Sequence, residues 1–260
     1  MFLVFNKEKI ISYVIAISAV AMLFVFSTGI YSNQSKENIE LEVSANTAKQ
    51  LPVYSVDTSE NKVALTINCA WNADDIDSIL ETLKKHDCKV TFFVVGDWVT
   101  KYPEAVKKIH DEGHEIGNHS DSHPHVNNMD LESNIDQIQK CSDKVEKITG
   151  VKTKLYRGPY GEYNDTVINA TGKTGHLAIQ WSIDSLDYKS LTCEQMWERI
   201  EPKLENGGII LMHNGTENTA LSLDTLLSNI ESKNFKIVKV SDLVYSNDYT
   251  IDNNGVQHKK

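Results

Sequence analysis

The chain lacks an excess of positive charge: its 26 lysines and arginines stand against 36 aspartates and glutamates, a formal net charge of −10 over 260 residues. No basic patch with interleaved aromatics is present, so nucleic acid and anionic surfaces are excluded as the main partner. Cysteine is scarce as well. Cys69, Cys88, Cys141 and Cys193 lie far apart, with no C-x-x-C. A domain of this length needs no staples to bury a core, so the four are expected to be mostly buried thiols even where disulfides are permitted. Low-complexity repeats are missing, and so, with one exception, are long apolar runs.

The exception is the uncharged stretch Ile10 to Tyr31, which follows Lys7 and Lys9. It is long enough to cross a hydrocarbon core of about 30 Å, and the preceding positive charge holds the N-terminus inside. Residues 1–31 are therefore expected to be a cytoplasmic tip and an uncleaved signal-anchor helix. The rest of the chain would lie outside the cell membrane, as a single-pass protein. A cleaved signal peptide with secretion is the competing reading, although Ser27-Thr28-Gly29 and Ser32 match a cleavage site only weakly. Residues 32–50, polar and poor in aromatics, read as a flexible linker. Residues 51–246 read as the folded domain and 247–260 as a polar C-terminal tail.

Within the domain, strand and helix patterns alternate. Leu51 to Val56 and Lys62 to Asn68 read as two strands of a β-hairpin, joined by the turn Asp57 to Asn61. Ala73 to His86 carries Ile76, Ile79, Leu80 and Leu83 at helical spacing. An apolar strand, Lys89 to Val95, precedes a helix from Pro103 to Glu112 that Gly113 closes. Then come a strand Glu115 to Gly117, a helix Leu131 to Thr149 ending at Gly150, and a strand Leu155 to Arg157. A helix Asp165 to Thr174, a strand Leu177 to Ile183, a helix Cys193 to Glu205 and a strand Gly208 to Met212 follow. A helix Ser222 to Lys233 and a strand Phe235 to Val240 complete the pattern. Repeated βα units imply a parallel sheet, and about seven or eight of them in roughly 200 residues favour a barrel, with its chemistry at the C-terminal strand ends.

Five polar clusters fall at those ends. They are Thr66 to Trp71, His119 to His123, Arg157 to Gly161, Asp184 to Tyr188, and Ile209 to Asn214. His119 and His123 are four apart, a spacing that lets two imidazoles meet at one metal. Taken singly, Asp187 could cap a helix, Arg157 could be a solvated charge and His213 a satisfied core histidine. Five clusters converging on one barrel face instead describe a site, and their chemistry suits metal-assisted hydrolysis with acid and base help. Trp71, Trp181 and Tyr188 could belong to the core or floor a sugar groove. The core reading comes first for them, and His114 and His125 read as supporting residues.

At these motifs, from about Leu51 to Val244, the chain resembles the polysaccharide deacetylases with the NodB homology domain, carbohydrate esterase family 4. The motif H-S-x-x-H stands as His119-Ser120-Asp121-Ser122-His123, and R-x-P-Y-G as Arg157 to Gly161. The hairpin, Ala70-Trp71 and the anchor look most like the sporulation-associated branch of spore-forming Gram-positive bacteria. The resemblance implies an irregular (β/α) barrel of about seven strands that removes acetyl groups from N-acetylated sugars, here a peptidoglycan-type glycan of the cell or spore wall. It implies a divalent metal, usually zinc, on His119 and His123. It also implies Tyr160 as the backbone oxyanion donor, His213 as general acid, and Asp187 in the network that tunes His213 and Arg157.

The first motif departs from the family. Aligned on Thr66, Asn68 stands where the family has its base aspartate, and Cys69 where it has the metal-binding one. An amide cannot take a proton from water near neutrality, so Asn68 is no general base, and losing a base typically lowers rates by about 10²–10⁴-fold. Cys69 is either a thiolate replacing the missing metal ligand or a small buried residue. Asp74 and Asp75 could supply a carboxylate or simply charge a helix N-terminus. Two functions remain open: a metal-dependent deacetylase with a rearranged base, or an impaired domain that binds glycan or a protein partner in the same groove, with Trp71 and Tyr188 as candidate groove residues.

Overall fold

The computed structural model describes residues 50–260. The expected signal-anchor, residues 1–31, and the linker up to its last residue lie outside them. Among the described residues no helix is long and apolar enough to cross a membrane.

The fold is organised on β2 (Lys62–Cys69), which is buried on both faces. Its alternation separates two environments: Val63, Leu65, Ile67 and Cys69 pack against helices, whereas Ala64, Thr66 and Asn68 point into the barrel interior. Around it stand β3 (Thr91–Val94), β4 (Glu115–Asn118), β5 (Leu155–Tyr156), β6 (Leu177–Ala178), β7 (Ile183–Asp184) and β8 (Ile209–His213). Every pairing is parallel and the order is β6-β5-β4-β3-β2-β8-β7, a half-barrel of seven strands. A further strand, β9 (Lys236–Val238), pairs with Lys62–Ala64 of β2.

Helices cover the outer face because their apolar stripes match it. In α1 (Ile76–Lys85), Ile76, Ile79, Leu80 and Leu83 are all buried. The outer layer also holds α2 (Gly96–Lys101), α3 (Pro103–Asp111), α4 (Leu131–Thr149), α5 (Asp165–Lys173), α6 (Cys193–Ile200) and α7 (Thr219–Ser232). Asp130 caps α4 through Ser133 N–H, Asn164 caps α5 through Val167 N–H, and Thr192 with Gln195 forms a capping box on α6.

Three expectations about the elements need correction. The N-terminal segment forms no hairpin, because both edges of β2 are taken by parallel partners. Instead β1 (Ser55–Val56) pairs in parallel with β11 (Val256–Lys259), which pairs antiparallel with β10 (Tyr249–Ile251). Residues 247–260 are accordingly no free tail. Gln257, fully buried, accepts from Tyr245 N–H and donates to Tyr245 O. Finally, Leu177 to Ile183 is two strands rather than one. Val53 bridges the break, donating to Ala178 O and accepting from Gln180 N–H at 2.7 Å. Helix α2 had no periodic signal of its own. The four cysteines are free thiols.

Candidate active site

The histidine motif is an irregular turn rather than a helical one. It follows β4, and both Ser120 (φ 66°) and His123 (φ 59°) take left-handed backbone conformations. Side chains hold this shape: Asn118 Oδ1 accepts from Ser120 N–H, Ser120 Oγ from His123 N–H, and Gln137 Oε1 from the N–H groups of Asp121 and Ser122. The two imidazoles meet edge to face with ring centroids 5.0 Å apart. His119 Nδ1 donates to Arg157 O at 2.7 Å, which makes Nε2 the acceptor nitrogen. Burial, reinforced by His123, holds the proton affinity of His119 well below the ordinary imidazole range, and burial also lowers that of His123.

Arg157, fully buried, sits at the centre of the barrel interior. Its Nη1 donates to Thr66 Oγ1 and to Asn68 Oδ1, both at 2.9 Å, and Nη2 donates to Gln180 O. Phe93 and Trp181 lie against the guanidinium, at 4.1 and 5.4 Å. Burial without a bonded carboxylate pushes its pKa down to about 9. The amide of Asn68 reaches in the other direction too, with Nδ2 3.4 Å from His119 Nε2. Tyr160, at φ 59°, presents an exposed ring that stacks on His125 and meets His123 edge on. His125 in turn is paired with Glu162 at 2.7 Å. His114 is buried at the far end of β4, away from the site.

On the opposite wall, Asp187 is fully buried and saturated. It accepts from His213 Nδ1 at 2.9 Å, from His213 N–H and Thr219 Oγ1 at 2.6 Å each, and from Tyr188 N–H at 3.0 Å. Its bonds go to His213, Thr219 and Tyr188 and none to Arg157, so it serves one half of the network the resemblance implied. Trp71 stacks on His213 with centroids 5.5 Å apart, and Tyr188 meets the same ring edge on. Trp71 is 50% exposed and Tyr188 45%, which removes both from the core. A cleft of about 480 Å³ unites Asn68, His119, His123, Tyr160, His213 and these aromatics, with Trp181 and Asp184 on its wall. Sequence reasoning passed over Gln137, Thr219 and Asp184 as site residues; only Asp184 could have been found, by its place within the fourth cluster.

The donors present do not fit a three-ligand metal centre. Two imidazoles converge, but Cys69 lies on the helix-facing side of β2, fully buried in the apolar core, and burial holds its thiol well above the usual range. Asn68 faces the interior, while Cys69, the last residue of β2, turns to the helices. The thiolate reading of Cys69 is thereby corrected. Asp75 is occupied elsewhere, accepting from Asn214 Nδ2 and Gly215 N–H, and Asp74 is exposed. Among the described residues no three His, Cys, Asp or Glu side chains come together as a metal would require.

Residues 55–179 match the polysaccharide deacetylase family model. The structure superposes with a TM-score of 0.72 on wild-type BA3943 of Bacillus anthracis, a carbohydrate esterase family 4 pseudoenzyme, at 31% identity over 81% of this chain and 73% of that one. The chain belongs to the polysaccharide deacetylase family. This family comprises hydrolases acting on carbon–nitrogen bonds other than peptide bonds, and the resemblance drawn from the motifs is borne out. Two further members are similar. The uncharacterized protein YlxY of Bacillus subtilis is 33% identical over 83% of this chain and 66% of its own length. The peptidoglycan-N-acetylglucosamine deacetylase PgdA of Listeria monocytogenes is 33% identical over 71% of this chain. The chain spans only 39% of that enzyme.

Proposed function

We propose that this chain is a glycan-binding member of the family, whose cleft engages a peptidoglycan-type amino-sugar chain and which, as its residues stand, does not hydrolyse N-acetyl groups. One observation carries the reading. Asn68, in the base position, bridges Arg157 and His119 as a neutral amide, while its neighbour Cys69 faces the core. Neither a proton acceptor for water nor a third ligand for zinc or another divalent metal is then in place. The open cleft with exposed aromatics on its rim supports sugar binding, since rings stack on the apolar faces of sugars. That the Bacillus anthracis relative is a pseudoenzyme is in keeping with it.

A second reading, deacetylation with a rearranged base, draws on the half of the site that is intact. Asp187 fixes His213 through Nδ1 and would stabilise the protonated ring, leaving Nε2 to give a proton to a departing amine. The N–H of Tyr160 is the donor this reading assigns to the oxyanion. In both readings the domain is tethered outside the cell membrane by Ile10 to Tyr31, supported by Lys7 and Lys9 ahead of that run.

Zinc content and acetate release from N-acetylglucosamine oligomers separate the two. The wild-type protein is expected to hold no stoichiometric zinc and to release no acetate. Asn68→Asp returns a carboxylate beside His119 and is expected, with zinc added, to release acetate detectably above the wild-type background. Turnover by the wild type would overturn the binding reading.

A further inference from the structure

Of the described side chains lining the cleft, Asp184 is the only one drawn from Asp, Glu, Lys and Arg. The residue ends β7 and lines the cleft together with Trp181 and His119. Its Oδ1 accepts from Leu186 N–H at 2.9 Å, and Oδ2 has no hydrogen-bond partner among the described residues. Arg157 attracts it from inside the barrel but spends its bonds on Thr66, Asn68 and Gln180, behind the rings of Phe93 and Trp181. Asp187 lies beneath His213, is spent on that ring and does not line the cleft, so Asp184 is the carboxylate a ligand would meet, and among the described residues no Lys or Arg is hydrogen-bonded to it.

A carboxylate with an open oxygen on the cleft wall suits a cation. An N-acetylated sugar offers only a neutral acetamide at C2, whereas its de-N-acetylated counterpart offers an ammonium. An aromatic wall is also compatible with an ammonium and with the sugar face that carries it. We propose that the cleft selects glycan that has already lost its N-acetyl groups, with Asp184 Oδ2 accepting a hydrogen bond from the free ammonium. This rests on the glycan-binding reading and names its ligand: the product of the family's reaction rather than its substrate. An amide hydrolysis that removes acetate from the amino sugar must therefore come before binding, performed by another catalyst.

Calorimetric titration of the full chain in detergent with glucosamine and N-acetylglucosamine oligosaccharides of equal length tests the proposal. The wild type is expected to bind the glucosamine oligomer about tenfold more tightly, the scale of one charge-assisted hydrogen bond at a half-open site. Asp184→Asn is expected to erase that preference, bringing its affinities for the two oligomers together. In the wild type, raising salt to 0.5 M is expected to shrink the preference, a readout that needs no variant. Equal or tighter binding of the acetylated oligomer would overturn the proposal and leave the glycan-binding reading standing. A preference that survives in Asp184→Asn would overturn the role of Asp184. Binding of neither oligomer would overturn both.

Discussion

Asn68 accepts from Arg157 through Oδ1 and directs Nδ2 at His119 Nε2, so one amide satisfies a cation on one side and a lone pair on the other. A carboxylate there would pair with Arg157 but set two acceptors against each other at His119, unless a proton or a metal came between them. The chain thus has a first motif that is consistent with itself when no metal is present, which is why a change at Asn68 is expected to alter chemistry. Cys69 is the contrasting case. A carboxylate at this fully buried, helix-facing position would have no partner. Cys69→Asp is expected to lower unfolding stability by about 3 kcal/mol or more without raising zinc affinity. Urea unfolding combined with zinc titration checks this, and a folded variant with tighter zinc binding would contradict the orientation of β2.

Among the elements, the C-terminal pair β10 and β11 has the most testable role. Together with β1 it forms a three-stranded sheet, and the segment leading into β1 fastens the edge of the half-barrel at Val53. Gly207 shows how closely this region is packed: a Cβ there would fall 1.7 Å from Val56 O, at φ +80°. Deleting residues 248–260 removes both strands and leaves the polar backbone of Tyr245 without Gln257. The deletion is expected to lower the thermal midpoint by several degrees and to speed proteolysis near Ser55, since each unsatisfied buried polar group is worth about 1–3 kcal/mol. A midpoint equal to that of the intact chain would restore these residues to the status of a tail.

For the whole molecule, a histidine outside the cleft adds to the acid sensitivity that His119, His123 and His176 also confer, since burial lowers their proton affinity too. His114 is buried, accepts from Val90 N–H through Nδ1 and lies edge on to Phe92. Burial, with Lys89 and Lys239 nearby, lowers its pKa to about 4. Because the folded value lies below the unfolded one, the neutral ring's contribution is complete above about pH 6.5 and is lost as pH falls toward 4. The urea midpoint is therefore expected to decline through that window, and His114→Gln to decline less steeply. Identical pH dependence in the two proteins would remove His114 as a cause. His86, held between Asp224 and Glu231, bends the curve the other way. Burial lowers its proton affinity but the two carboxylates raise it further, so its contribution is present at low pH and is lost as pH rises through the folded value.

What the sequence by itself determined was the fold class, the order of the βα units and the strand ends that carry the site. Those follow from periodicity, caps and turn residues, which are local: Ile76, Ile79, Leu80 and Leu83 lie on one helical face in any context, and Gly150 ends α4 where the helical pattern stops. Substitution of the first motif was also legible, because an amide differs from a carboxylate whatever surrounds it. Tertiary structure alone decided the direction of Cys69, the exposure of Trp71 and Tyr188, the partner of β1 and the open oxygen of Asp184. Each of these depends on which face of a strand meets which neighbour, and on residues far apart in the chain. Val256–Lys259 has no apolar alternation to announce a strand, and becomes one because β1 presents a free edge to it.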